Sequence, residues 1–347
     1  MSDIKVNNIQ SLEGTHGPVV SGIATMLSVG AMTLPRGDTA YRGGRGRGLF
    51  GGGYGSSPHP TMNTMDYVTI ATLGNAFDFG DLTVARSSKP GGSSATRGCF
   101  IAGRFSPTAD SYNVIDYITI SSTGNAFDFG DLIHNNNPDQ KGTSNQIRTV
   151  YAGGYNLPGT PAEDFVTTMG YFTIATLGNS SDFGNLSQRG RVTFQGSNGT
   201  RGIFAGMRVV STAFNTIEYV NIMTTGNALD FGDLTVARTN SAGSMTSSTR
   251  MVMQGGLSPS SYLNTIDYIT MASLGDAIDF GDTGSGAEGS GGTSNSTRGV
   301  FTPGTPATGD TIEYITIATT GNAADFGNLS AGRKTYGTVS DSHGGLG

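Results

Sequence analysis

The chain has no tryptophan, a single cysteine (Cys99) and four histidines, and only 13% of its 347 residues carry charge. One cysteine permits no intrachain disulfide and no cysteine-based zinc site within one chain. His16, His59, His134 and His343 are scattered without an HxxxH pair, and no nucleophile elbow is present, so the common signatures of metal hydrolysis and acyl transfer are missing. No apolar run approaches the ~18–20 residues of a membrane span. The opening MSDIKVNNIQSLEGTHGPVVSGIATM lacks the continuous apolar core of a secretory leader. Neither membrane insertion nor export through a cleaved leader is expected; release from a cell would need another route, such as host lysis. A formal charge of −6 argues against nucleic acid, whose binding needs a basic face.

What is abundant is glycine, at 55 positions, together with Ser, Thr and Asn. That is a β-and-turn composition, poor in helix formers. The phrase NTMDYVTIATLGNAFDFGDLTVAR at 63–86 returns almost unchanged from 113 onward. Aligned on its acid-Tyr pair, it occurs six times, centred on Asp66, Asp116, Gly170, Glu218, Asp267 and Glu313, with separations of 50, 54, 48, 49 and 46 residues. Each copy parses into four short strand candidates: a Ser/Gly-rich stretch (ARSSKPGGSSA from Ala85), TRGCFIAG from Thr96, NVIDYITI from Asn113 and NAFDFGDL from Asn125. Four antiparallel strands per repeat of about 50 residues is the arithmetic of an all-β propeller blade. An open solenoid is the runner-up, and it would need polar caps that a closed ring does not.

The second strands ending in Gly-Gly (GLFGGG at 48–53, VYAGG at 150–154, MVMQGG at 251–256), the tyrosine in the third strand and the arginine leading into the next inner strand resemble the kelch repeat. The resemblance covers roughly residues 36–340 and implies a kelch-like β-propeller of six four-stranded blades. Kelch repeats usually place a tryptophan near the fourth strand; here Phe79, Phe129, Phe183, Phe231, Phe280 and Phe326 stand in its place. The repeated phrase and the opening IKVNNIQSLEGTHGPVVSGI also look like virion structural proteins of marine tailed phages.

Residues 30–36, GAMTLPR, align with GDLTVAR at 80–86 and read as a spare fourth strand, while GRKTYGTVSDSHGG from Gly332 reads as a spare first strand. Every blade between 37 and 330 is complete without them on this reading. The spare strands would pair with each other as part of a seven-position ring, or pack on neighbouring blades or another chain. The domain plan is an extended arm over 1–25 and a propeller over 26–347.

The fourth-strand phrase carries two acids in most copies, such as Asp128 and Asp131, with Asn185 and Asn328 replacing the second acid in copies three and six. Acids three apart on a strand point to opposite faces unless a bulge re-aims one, and the glycine between them suggests such a bulge. Sixfold repetition favours a structural role over catalysis. Calcium is the remaining cofactor candidate, although the spacing lacks the alternating acids of an EF-hand loop. Arg47, Arg97, Arg148, Arg201, Arg250 and Arg298 recur at the start of strand two. We expect charge pairs with the third-strand acids: Arg97 with Asp116, Arg201 with Glu218, Arg250 with Asp267 and Arg298 with Glu313. Arg148 would lack a partner, because Gly170 stands where the acid belongs.

The loops between strands two and three vary most and share one end of the ring with the blade-to-blade linkers; the T-x-G-N turns at the other end hardly change. A fixed scaffold with one diversified rim suits recognition. Tyr54, His59, Phe105, Tyr112, Tyr155, Phe165, Phe214 and Tyr262 are the candidate contact residues, and packing of their own loops is the plain alternative. The expected function is a non-enzymatic structural or adhesive protein of a phage particle, anchored by its arm and contacting another virion protein or a host-surface glycan, with self-association through the spare strands. The alternative is a free glycan-binding lectin. A propeller glycosidase or lyase would need acids in the central channel, where the Ser/Gly-rich inner strands supply few.

Overall fold

The computed structural model describes residues 19–20, 24–25, 46–55, 61–87, 91–105, 112–133, 140–156, 164–240, 243–259, 261–302, 304, 309–334 and 336–346. The chain divides into two compact units, Met1–Arg42 and Gly43–Gly347. In the first, one small antiparallel ribbon pairs Val19–Val20 with Ala24–Thr25. The remainder of the expected arm and the spare strand at 30–36 lie outside the described residues.

The second unit is a six-bladed β-propeller. Blade two is typical: Gly91–Ser93, Arg97–Ile101, Val114–Thr119 and Phe127–Asp131 pair in that order, all antiparallel. Blade three uses Lys141–Ser144, Arg148–Ala152, Thr168–Thr173 and Ser181–Asn185. Blade four uses Arg191–Ser197, Arg201–Val209, Thr212–Asn221 and Leu229–Asp233. Blade five follows with Gly243–Thr246, Arg250–Gln254, Thr265–Thr270 and Ile278–Asp282, and blade six with Gly292–Ser294, Arg298–Phe301, Thr311–Thr316 and Ala324–Asn328.

Blade one corrects the expectation that 37–330 is self-sufficient. Its inner strand is Gly337–Ser340 from the far end of the chain, hydrogen-bonded to Arg47–Gly51, with Thr64–Thr69 and Phe77–Asp81 outside it. The supposed spare first strand therefore closes a ring of six, not seven. The closure is non-covalent, and it gives blade one the same four-stranded sheet as the other five.

The core lies between blades. One cluster joins Leu49, Met65 and Phe79 of blade one to Phe100, Ile118 and Ile120 of blade two. Because each sheet is covered on both faces, second strands such as RGCFI read as buried runs rather than alternating ones. The six phenylalanines at the tryptophan position are all buried, each meeting its own blade's tyrosine edge-on at 5.9–6.2 Å.

Candidate functional site

Three sets of recurring polar residues join each blade to the next. The first is the DFGD phrase. In every blade the register slips by one residue between strands three and four. In blade two Ile115 pairs with Gly130 and Asp116 with Asp128, so Phe129 is the extra residue of a bulge. Residues paired across a ladder share a face, and Asp131 opposite Val114 therefore lies on the same face as Asp128, as the glycine had suggested. Among the described residues no three His, Cys, Asp or Glu side chains converge on a metal-sized site.

The bulge presents the fourth strand's backbone to the next blade's T-x-G-N turn. Gly124 N–H donates to Phe79 O at 2.7 Å, Ala126 N–H to Asp81 O at 2.8 Å, and Asp81 N–H to Asn125 Oδ1 at 3.0 Å. The same three bonds recur round the ring and close it, from Gly74, Ala76 and Asn75 back onto blade six. Where the sequence has Asp276 instead of Asn, a carboxylate oxygen takes the bond from Asp233 N–H at 3.0 Å. The approach is so close that a Cβ on Gly80 would lie 2.5 Å from the Gly124 carbonyl.

The second set is the arginine ring, and here the expected pairing is corrected. Arg97 lies opposite Thr119, three residues from Asp116, so the two side chains occupy opposite faces of the sheet. Its guanidinium instead sits 4.5 Å over Tyr117 and donates to Ile174 O of blade three at 2.7 Å. Arg201 covers Tyr219 and reaches Met271 O, Arg250 covers Tyr268 and reaches Ile317 O, and Arg298 covers Tyr314 and reaches Ile70 O. None pairs with Glu218, Asp267 or Glu313. Arg148 does not stand apart: it covers Tyr171 at 4.1 Å and donates to Ile222 O.

The third set consists of the strand-three acids, which serve the linker arriving from the previous blade. Asp116 accepts from Thr83 N–H and Oγ1–H, Asp267 from Thr235 and Asp66 from Ser330 in the same way, Glu218 from Ser187 N–H and Glu313 from Gly284 N–H. The three aspartates also meet fully buried arginines that sequence reading left without a partner: Arg86 with Asp116 at 2.9 Å, Arg238 with Asp267 at 3.0 Å and Arg333 with Asp66 at 2.9 Å. Burial lowers the affinity of these guanidinium groups for their proton, and the facing carboxylates oppose that shift. Glu218 and Glu313 have no such partner among the described residues, and burial raises their carboxyl pKa. At Gly170 the ring of Tyr151 fills the missing acid's place, and its hydroxyl bonds Ser180 Oγ at 2.7 Å.

The inner strands enclose a central cavity of about 60 Å³, lined by Gly, Ser and Thr with Gln195, Val339 and His343, room for a few waters and not for a sugar ring. No carboxylate among the described residues lines it. Hydroxyls bridge blades round the wall, with Ser93 Oγ donating to Ser340 O at 2.6 Å, Ser340 Oγ to Ser294 O at 2.8 Å and Ser197 Oγ to Ser144 O at 2.6 Å. After the closing strand the chain turns across the channel mouth in a short 3-10 turn, Gly344–Leu346. His343 Nδ1 accepts from Gly345 N–H at 3.1 Å, so Nε2 carries the proton and donates to Ser93 O at 3.0 Å. Burial pushes this imidazole down to about 4. The Cys99 thiol, buried between blades, is pushed up to about 12 and is unreactive as a nucleophile.

The loop aromatics are distributed unevenly. Tyr155 and Phe165 are buried against each other in a two-residue hairpin, with Arg191 4.2 Å over Tyr155. Phe214 packs against the core of blades three and four, and Tyr54, Phe105 and Tyr112 are half-buried. Tyr262 is exposed, and His59 lies outside the described residues. The fold and site together define a six-bladed β-propeller whose recurring polar residues link blade to blade. No protein-family model matches the chain, and no curated protein matches it significantly.

Proposed function

We propose that this chain is a non-catalytic structural or adhesive component of a tailed-phage particle, a kelch-like propeller held in place through its N-terminal segment. The observation that carries this reading is the near-equivalence of the blades: all six use the same turn and arginine positions to grip their neighbours, five of them add the strand-three acid, and the described channel lining offers hydroxyls and one imidazole but no paired acids. An enzyme needs one asymmetric constellation, whereas a scaffold needs repeated joints. The likeness of the repeated phrase and of residues 4–23 to phage virion proteins supplies the setting. The variable-loop end would contact another virion protein or a host-surface glycan. The test is electron microscopy of purified particles with antibody raised against the chain: regular labelling at one particle location is expected. A soluble monomer absent from particles would overturn the reading, and saturable binding of that monomer on a glycan array would replace it with a lectin.

A further inference from the structure

The segment that follows the ring-closing strand crosses the end of the channel that carries the one-to-two turns, and it touches blades one to five in turn. Asp341 Oδ1 accepts from Gly46 N–H and Arg47 N–H of blade one. His343 reaches Ser93 O of blade two and Ser144 Oγ of blade three. Gly344 and Gly345 lie against Ser197 of blade four, and Gly344 N–H donates to Thr246 Oγ1 of blade five at 3.1 Å. The segment differs from the strand before it in how it is held. Gly337–Ser340 is paired residue by residue with blade one's second strand, whereas the turn rests on these separate bonds and can leave without unzipping a ladder.

One bond within the turn depends on the protonation state of His343, the one titratable side chain of the described channel lining besides its hydroxyls. Gly345 N–H donates to Nδ1 at 3.1 Å, so Nδ1 must carry no proton. Protonation would set N–H against N–H. Gly345 has no room to give way, since a Cβ there would overlap Ser144 O. The surroundings offer an imidazolium carbonyl oxygens but no counter-charge. The elements packed on the turn contribute Ser93, Ser144, Ser197, Thr246 and Ser247. Lys141 stands at the opposite end of blade three's inner strand, on the face that Thr143 turns to blade four. Asp341 is committed to the blade-one amides, and Arg47 lies over Tyr67. Burial therefore keeps the ring neutral, with the bond to Ser93 O acting the other way.

We propose that Ser342–Leu346 is an acid-released plug of the central channel: it closes one end while His343 is neutral and leaves when the imidazole takes up a proton. The strand Gly337–Ser340 stays paired, so the ring remains closed while its channel opens. The device does not depend on the particle assignment. Amide hydrogen exchange of the full chain from pH 7.5 to 5.0, corrected for the intrinsic exchange rate at each pH, reads the opening of the turn. With His343 at about 4 when closed and 6.5 when released, linkage gives about a thirtyfold rise in opening over this range. The ring's remaining solvent contact trims that figure, so a rise of at least about fivefold is expected at Gly344–Leu346, with Gly337–Ser340 unchanged within about twofold. His343→Asn keeps an acceptor in place of Nδ1 and does not titrate, so its opening should be independent of pH. A smaller rise at the turn, a matching rise in the closing strand, or the same rise in His343→Asn would each overturn the proposal. If that variant does not fold, the comparison of turn with strand in the native chain decides alone.

Discussion

Two glycines with nearly the same backbone conformation test the blade clasp. Gly130 has φ 144° and Gly178 φ 141°, a region that L side chains rarely adopt. Adding a methyl group therefore costs both a similar strain, about 1–3 kcal/mol, and both gain the same small loss of unfolded-state freedom. Their surroundings differ. A Cβ on Gly178 meets nothing within 4 Å, whereas one on Gly130 lies 2.5 Å from the Gly178 carbonyl oxygen and 3.1 Å from Asn179 N. Those are backbone atoms, so blades two and three must separate. Separation stretches Gly178 N–H to Phe129 O, Ser180 N–H to Asp131 O and Asp131 N–H to Asn179 Oδ1, now 2.9, 2.9 and 3.0 Å. At about 1 kcal/mol each, Gly130→Ala should be about 2–3 kcal/mol less stable than Gly178→Ala. Urea midpoints measured with a shared slope give the difference directly. A gap below about 1 kcal/mol between the two variants would refute the clasp as a tight joint.

The corrected ion pairs give further outcomes. Arg86→Met leaves Asp116 charged in the core and should cost about 3–5 kcal/mol, with Asp116→Leu restoring part of it in the double variant; equal stability of single and double variants in urea would contradict the pairing. Arg97→Gln and Arg148→Gln should cost the same, about 1–2 kcal/mol each, since each loses one ring contact and one carbonyl bond; a much larger loss at Arg97 would reinstate the acid as its partner. His343 is neutral in the fold with its pKa near 4, against 6.5 when free, so the unfolded chain binds the extra proton. Its contribution is complete above about pH 7, falls between pH 6.5 and 4, and levels below. A full shift is worth about 3 kcal/mol, and the ring's remaining solvent contact reduces it. The stability difference between the native chain and His343→Gln should therefore shrink on going from pH 7.5 to 4.5, and a pH-independent difference would argue against the buried neutral imidazole.

The blade count was legible because repetition multiplies a weak strand signal by six. The bulge was legible from the glycine inside DFGD, since a residue with φ 144° at Gly130 breaks the alternation that would otherwise part the two acids. The ring closure was not, because Gly337–Ser340 pairs with a strand some 290 residues away, and local pattern carries no information on partners at that distance. The arginine partners were misassigned by parity: adjacency of strands two and three does not bring Arg97 to Asp116 when the register opposes Arg97 to Thr119. Among the loop aromatics, Tyr155 and Tyr262 have the same kind of setting in sequence but opposite burial, because Tyr155 packs on Phe165 and under Arg191, neighbours that the local pattern does not give.

One signal for the buried pairs was nonetheless present within the six copies. Where the linker into a blade carries arginine, at Arg86, Arg238 and Arg333, the receiving acid is aspartate; where that position is Gly190 or Ala287, the acid is glutamate, Glu218 or Glu313. The structure gives the reason. All five carboxylates accept the linker N–H, but the three aspartates share the space with a guanidinium, and the two glutamates use one more methylene to reach across the space it leaves. The rule should be transferable. Ala287→Arg alone places a long side chain beside a glutamate already filling the gap, and Glu313→Asp alone falls short of Gly284 N–H, so each should destabilise by about 1–3 kcal/mol. Combined, they recreate the arrangement of Arg238 and Asp267, and the double variant should be more stable than the sum of the singles by at least about 1 kcal/mol in a denaturation cycle. Simple additivity would mean that aspartate and glutamate are interchangeable here, and that the match between linker and acid has no energetic basis.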